Sequence, residues 1–205
     1  MSSDIDVTGV SNVSLQYSNF RNISCRIINT DNGSTASVNL RYNYLEGLGA
    51  GNGCHGETVE YNSATTVVMH RESYNNYYEP VSFGGDTSFA YVTSGAPGPA
   101  GPGAMTTARL SHNVMITRPT AGGGVTVSGA LWVDTSFNNT ISSLTMQNNW
   151  IDPAGSYFAI LVDVQGANPG WIASSVCTGN MKLTAAGAAP ITGTLGTGAS
   201  TVLCN

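Results

Sequence analysis

The sequence predicts an all-β solenoid of about six irregular coils, each built from short strands stacked into parallel sheets. Three observations carry that expectation. A phrase recurs along the chain: alternating apolar and polar residues, an asparagine, then a second short apolar run. Alternation with a period of two marks a strand with one buried face, and asparagine tolerates the left-handed backbone of a sharp corner. No window carries a helical pattern, because glycine and β-branched residues interrupt each candidate. Charged residues make up only 9% of the chain, against about 25% in typical globular proteins. Solubility then rests on Asn, Ser, Thr and backbone amides, as suits a fold whose turns are hydrogen-bonded ladders.

The fullest copy of the phrase is Ser142–Pro153. There Leu144 and Met146 alternate with Ser143, Thr145 and Gln147, Asn148 and Asn149 break the alternation, and Trp150 and Ile151 resume the apolar run. Other copies run from Val13 through Asn19 to Phe20, from Val38 through Asn43 to Leu45, from Leu110 through Asn113 to Ile116, and from Val176 through Asn180 to Leu183. A degraded copy runs from Val67 to Asn75. The intervals between the asparagines range from 24 to 38 residues, within the span typical of solenoid repeats. The side chains expected inward are Val13, Leu15, Leu40, Met69, Leu144, Met146, Ile160, Val162, Val164 and Val176.

Between the copies, Cys25–Ile28 reads as a second strand. Asp31–Ser34 is a turn in which Gly33 supplies positive φ. Gly47–Gly56 is a glycine-rich loop, Glu57–Tyr61 and Phe158–Val164 alternate as strands, and Phe83–Val92 and Val125–Val133 each read as a strand pair. Gly95–Gly103, GAPGPAGPG, contains three collagen-type triplets, too few to hold a triple helix, and reads as a polyproline-like loop. Residues 1–185 are expected to form the solenoid. Residues 186–205, rich in Ala, Gly and Thr, are expected to form an end cap or a strand that contacts a partner.

The repeated unit, an apolar-alternating strand, an asparagine and a second apolar run, resembles the right-handed parallel β-helix of the pectate-lyase-like superfamily over residues 10–185. The resemblance implies that fold. It leaves activity open, because lyases, hydrolases, esterases, phage tailspikes and adhesins share it.

Net charge is −5 with a pI near 4.9. The seven basic residues are scattered, which argues against nucleic-acid binding. No apolar run reaches the roughly 18 residues of a membrane span. The N-terminus, MSSDIDVTGV, lacks the basic and apolar regions of a secretory signal, so the expected setting is a virion released on lysis, or the extracellular space after removal of a leader. Cys25, Cys54, Cys177 and Cys204 include no CxxC pair, so neither zinc nor any other metal or cofactor is expected. They read as small buried thiols, with a bridge such as Cys177–Cys204 closing one end as the alternative.

Glycoside hydrolysis requires two cooperating carboxylates, and calcium-dependent elimination requires several on neighbouring coils together with a base. The twelve acidic residues here are spread along the chain. Trp132–Thr135 resembles the Trp-Ile-Asp-His segment of pectate lyases and departs from it at Thr135. The resemblance makes Asp134 a catalytic candidate. The densest polar cluster is His70, Arg71 and Glu72. Alternation sets His70 and Glu72 outward if Met69 is inward, Arg41 occupies the same place one coil earlier, and His112 lies near it one coil later. Arg41, His70 and Glu72 are therefore acid–base candidates, the alternative being a solvated face with an ion pair. Tyr74, Asn75, Asn76, Tyr77 and Tyr78 form a candidate glycan surface, since aromatic faces stack on sugar rings and amides bond their hydroxyls.

The function expected is a non-catalytic structural or adhesive β-helix, a tail-fibre- or spike-like component of a phage or prophage particle that contacts surface glycans. The alternative is a lyase or hydrolase acting on an acidic polysaccharide. Thinly covered strand edges favour a homo-oligomer, specifically a trimer, or a larger assembly, with Gly95–Gly103 near a contact.

Overall fold

The computed structural model describes residues 5–6, 12–21, 28–29, 37–46, 59–61, 66–71, 73–77, 90–93, 104–117, 127–134, 140–152, 156–163, 171–196 and 201–205. Among them every regular element is a β-strand, as the interrupted helical windows require. The strands form three sheets. The first is ordered Ile5–Asp6, Ile28–Asn29, Val59–Tyr61, Ala90–Thr93, Val127–Asp134, Ser156–Asp163. The second begins Asn12–Gln16, Ser37–Arg41, Thr66–His70, Ala104–Ser111, Thr140–Gln147, Ser175–Thr178. The third holds Asn19–Arg21, Tyr44–Glu46, Ser73–Tyr77, Val114–Thr117, Trp150–Asp152 and Met181–Thr184. The chain visits the three sheets in rotation, and each strand pairs in parallel with its counterpart from the next rotation. Parallel neighbours cannot be joined by a tight hairpin; here the strands of the other two sheets make the connection.

Because the pairing is parallel and in register, like side chains stack. In the second sheet Leu15, Leu40, Met69, Leu110, Met146 and Cys177 follow one another across the strands. In the third, Phe20 is followed by Leu45, and Met115 by Ile151. Residues from all three sheets join one buried cluster. Each fully buried Leu, Ile or Met contributes about 1.5–3 kcal/mol relative to an exposed one. Leu40, Met69, Leu144, Met146, Ile160 and Val162 are buried, and Val13 and Leu15 are partly buried against the cluster.

Val176 corrects the expectation: it is 46% exposed. Its register partner is the outward Thr145, and the inward place opposite Met146 belongs to Cys177. In Val-Cys-Thr, cysteine is as readily buried as valine, so alternation alone does not choose between them. Two corner assignments also shift. Asn19 pairs with Tyr44, beyond the corner, and Ser18 occupies the corner itself. Asn75 pairs with Glu46 and Ile116, well inside the third-sheet strand.

At the C-terminal end the direction of pairing reverses. Gly187–Pro190 runs antiparallel to Met181–Thr184, and Gly193–Leu195 runs antiparallel to Val202–Cys204, which itself adds in parallel to Ser175–Thr178. That addition brings Cys204 into register with Cys177, 4.5 Å between Cα atoms, and a disulfide joins them. The reading of these two as free thiols is overturned, because two inward positions on neighbouring parallel strands fall within bridging distance. Cys25, Cys54, Asp31–Ser34, Gly47–Gly56, Val164 and Gly95–Gly103 lie outside the described residues. Among the described residues no helix is long and apolar enough to cross a membrane.

Candidate functional site

The site is built on the corner between the second and third sheets. The residue that follows each second-sheet strand adopts the left-handed conformation: Tyr17, Tyr42, Arg71, His112 and Asn148, with φ between 52° and 59°, and Gly179 at 66°. Side chains other than glycine rarely sit there, at a cost of about 1–2 kcal/mol. The stack holds them in place. The N–H of Tyr17 donates to the Arg41 carbonyl, that of Tyr42 to His70, that of Arg71 to Ser111, that of His112 to Gln147 and that of Asn148 to Thr178, all at 2.9–3.2 Å.

The next residue turns inward. Asn43, Asn113, Asn149 and Asn180 are buried, and the last three form an amide ladder. The Asn149 Oδ1 accepts from both the backbone N–H and Nδ2 of Asn113, and the Asn180 Oδ1 accepts from the same two groups of Asn149. The Nδ2 groups of Asn43, Asn149 and Asn180 donate to the carbonyls of Leu15, Leu110 and Met146. These amides satisfy buried backbone groups. They are the structural support of the corner, and the surface is made by the left-handed residues beside them.

Those residues present an outward row. The rings of Tyr17 and Tyr42 stack with centroids 4.9 Å apart and planes 1° from parallel, and Tyr17 is 76% exposed. The Arg71 guanidinium lies 5.7 Å from the Tyr42 ring centre. The Asn148 Nδ2 is 3.2 Å from the His112 Nε2. The row ends at Gly179, where a Cβ would collide with the Asn148 Oδ1.

A second row lies one residue earlier, on the outer face of the second sheet. Arg41 and His70 are register partners, as are His70 and Ser111. The His70 ring meets Tyr42 edge-on at 5.7 Å and His112 at 5.3 Å, and its Nδ1 is 2.9 Å from the Ser111 Oγ. The Arg41 Nε donates to the Asn39 Oδ1 at 2.8 Å. Arg109 pairs in register with Val68. Arg41, Val68, His70 and Arg109 line a shallow pocket of about 120 Å³. Burial holds the His70 pKa below its usual 6.5, with further lowering from His112, Arg71, Arg41 and Arg109.

Charge is divided by sheet. The second-sheet strands carry Arg41, His70 and Arg109 and no Asp or Glu, whereas the first-sheet strands carry Asp6, Glu60, Asp134 and Asp163 and no Lys, Arg or His. The structure thus brings Arg41 and His70 together and sets Asp134 apart from them. Asp134 lies on the first sheet, in register with Thr93 and Asp163. Glu72 and Tyr78 lie outside the described residues. Tyr74, Asn75, Asn76 and Tyr77 lie on the third sheet. Tyr74 is in register with the buried Leu45 and Met115, and the pairing with Val114–Thr117 skips Asn76. Among the described residues no three His, Cys, Asp or Glu side chains group as metal ligands.

Sequence reasoning missed Tyr17, Tyr42 and Arg109. The signal for the first two was the residue immediately before the corner position, Tyr-Ser and Tyr-Asn, followed by Arg, His-Asn and Asn-Asn in later copies. No family model matches the chain, and no curated protein and no solved structure matches it.

Proposed function

We propose that the three sheets are the faces of a right-handed parallel β-helix of the pectate-lyase-like kind, and that the chain is a non-catalytic structural and adhesive module that contacts surface glycans. The observation that carries this reading is the outward row Tyr17, Tyr42, Arg71, His112 and Asn148, one side chain from each successive strand. A polymer lying along the stack meets a new side chain about every 4.8 Å. Aromatic faces pack on sugar rings, and guanidinium, imidazole and amide groups bond hydroxyls. The collagen-type triplets of Gly95–Gly103 and the low charge of the chain support a tail-fibre- or spike-like place in a phage or prophage particle, as a homotrimer.

The reading is tested by titrating labelled oligosaccharides of varied backbone against the full chain while following ultraviolet absorbance for unsaturated products. Saturable binding without turnover is expected. Absorbance that grows with time would replace the adhesive module with a lyase.

A further inference from the structure

Two guanidiniums and an imidazole line one small pocket, and no carboxylate is among the described residues that line it. Arg41 and Arg109 stand on strands either side of Thr66–His70, and His70 and Val68 lie between them. The Arg41 Nε is held by Asn39, which orients the rest of its guanidinium. Arg109 makes no hydrogen bond or ion pair among the described residues. The His70 Nδ1 is occupied by Ser111, itself fully buried. Two guanidiniums that line one pocket repel each other, and an anion between them relieves the repulsion. Arginine forks suit planar or tetrahedral oxygens, which they bind through two parallel hydrogen bonds. A pocket of about 120 Å³ has room for one small oxyanion.

We propose that the pocket framed by Arg41, His70 and Arg109 binds a single oxyanion, either free in solution or as a substituent of the ligand that lies along the outward row. Arg41 and Arg109 clamp the oxygens from opposite sides. His70, gripped through its Nδ1, presents the other edge of its ring, and Val68 forms an apolar floor. Binding is coupled to proton uptake at His70. Burial and the facing charges of His112, Arg71, Arg41 and Arg109 lower the His70 pKa, and an anion among them opposes that lowering.

The experiment is an NMR titration of the His70 ring signals in the full chain with sodium sulfate at constant ionic strength. It is repeated with a sulfated oligosaccharide and its neutral counterpart. The expected result is a saturable shift with sulfate, a rise in the His70 pKa on saturation, and affinity about tenfold weaker in Arg109→Gln, with no change in Lys182→Gln, a charge-matched control on the third sheet. Arg41→Gln serves as the second variant should Arg109→Gln melt abnormally. A preference for the sulfated oligosaccharide that vanishes in Arg109→Gln identifies a substituent, and an equal response to sulfate alone identifies a free anion. No saturable shift with either sulfate source, or equal weakening by Lys182→Gln, overturns the proposal. Binding of the neutral oligosaccharide without any sulfate response leaves the glycan face standing and removes the anion pocket. Sulfate binding without any oligosaccharide binding does the reverse.

Discussion

Asn148 and Asn149 are adjacent and chemically identical, and the structure assigns them opposite sensitivities. The Asn149 side chain is fully buried and makes four hydrogen bonds: two accepted from Asn113, one donated to the Leu110 carbonyl and one donated to the Asn180 Oδ1. Asn149→Ala leaves the buried Asn113 N–H without its acceptor, which costs about 1–3 kcal/mol, and removes further bonds worth about 0.5–1.5 kcal/mol each. Partial relaxation of the corner returns some of this, so the expected loss is about 2–4 kcal/mol. Asn148 is exposed, with φ at 54° and one side-chain bond to His112. Asn148→Gly relieves the left-handed strain and is expected to fall within about 1 kcal/mol of the parent. Urea melts followed by circular dichroism measure both. If Asn149→Ala melts like the parent while ligand binding disappears, the amide ladder is a binding site and its structural role is refuted.

Gly179→Ala is expected to destabilise by about 1–2 kcal/mol, from positive φ and from the clash with Asn148. Combining it with Asn148→Gly should recover the clash portion, read as coupling in a double-mutant cycle. Reduction of the Cys177–Cys204 bridge, which closes a sequence separation of 27, should cost about 3–4 kcal/mol in the chain-entropy estimate. A reductant should then lower the melting temperature of the parent and leave that of Cys204→Ser unchanged. His70 has its pKa lowered in the fold from 6.5, so the unfolded chain binds more protons between the two values. Its contribution is complete above pH 6.5, falls as pH drops from 6.5 towards the folded pKa, and levels off below that. His70→Gln should flatten this part of the stability profile.

Strand type and parallel stacking were legible because the Leu-Gln, Leu-Arg, Met-His and Met-Gln alternations keep one face apolar in each copy. Arg41 beside His70 followed from the same counting. What failed was position by a single residue. Asn19 stands one place after the corner, and Val176 one place before the inward cysteine. A period of two cannot resolve such steps when Ser, Asn and Cys are small enough for either face. The Tyr17–Tyr42 stack was hidden for a related reason. An aromatic residue between polar neighbours reads as one more inward side chain, and only the left-handed backbone at the corner turns it out. The Arg109 contribution arises from lateral neighbours separated by whole rotations of the chain, which no local pattern reports.

The role proposed for the outward corner row is that of a ligand-binding face. It is tested most directly by the affinity of a bound oligosaccharide for the parent, for the Tyr17→Ala, Tyr42→Ala double variant, and for Trp171→Ala. Trp171 is an exposed aromatic that pairs with Thr140, at the opposite end of the second sheet's strands from the corner. The expected result is at least about a tenfold loss in the double variant, equal to about 1.4 kcal/mol, and parent affinity in Trp171→Ala. Equal affinities in all three proteins, or a loss confined to Trp171→Ala, would contradict it.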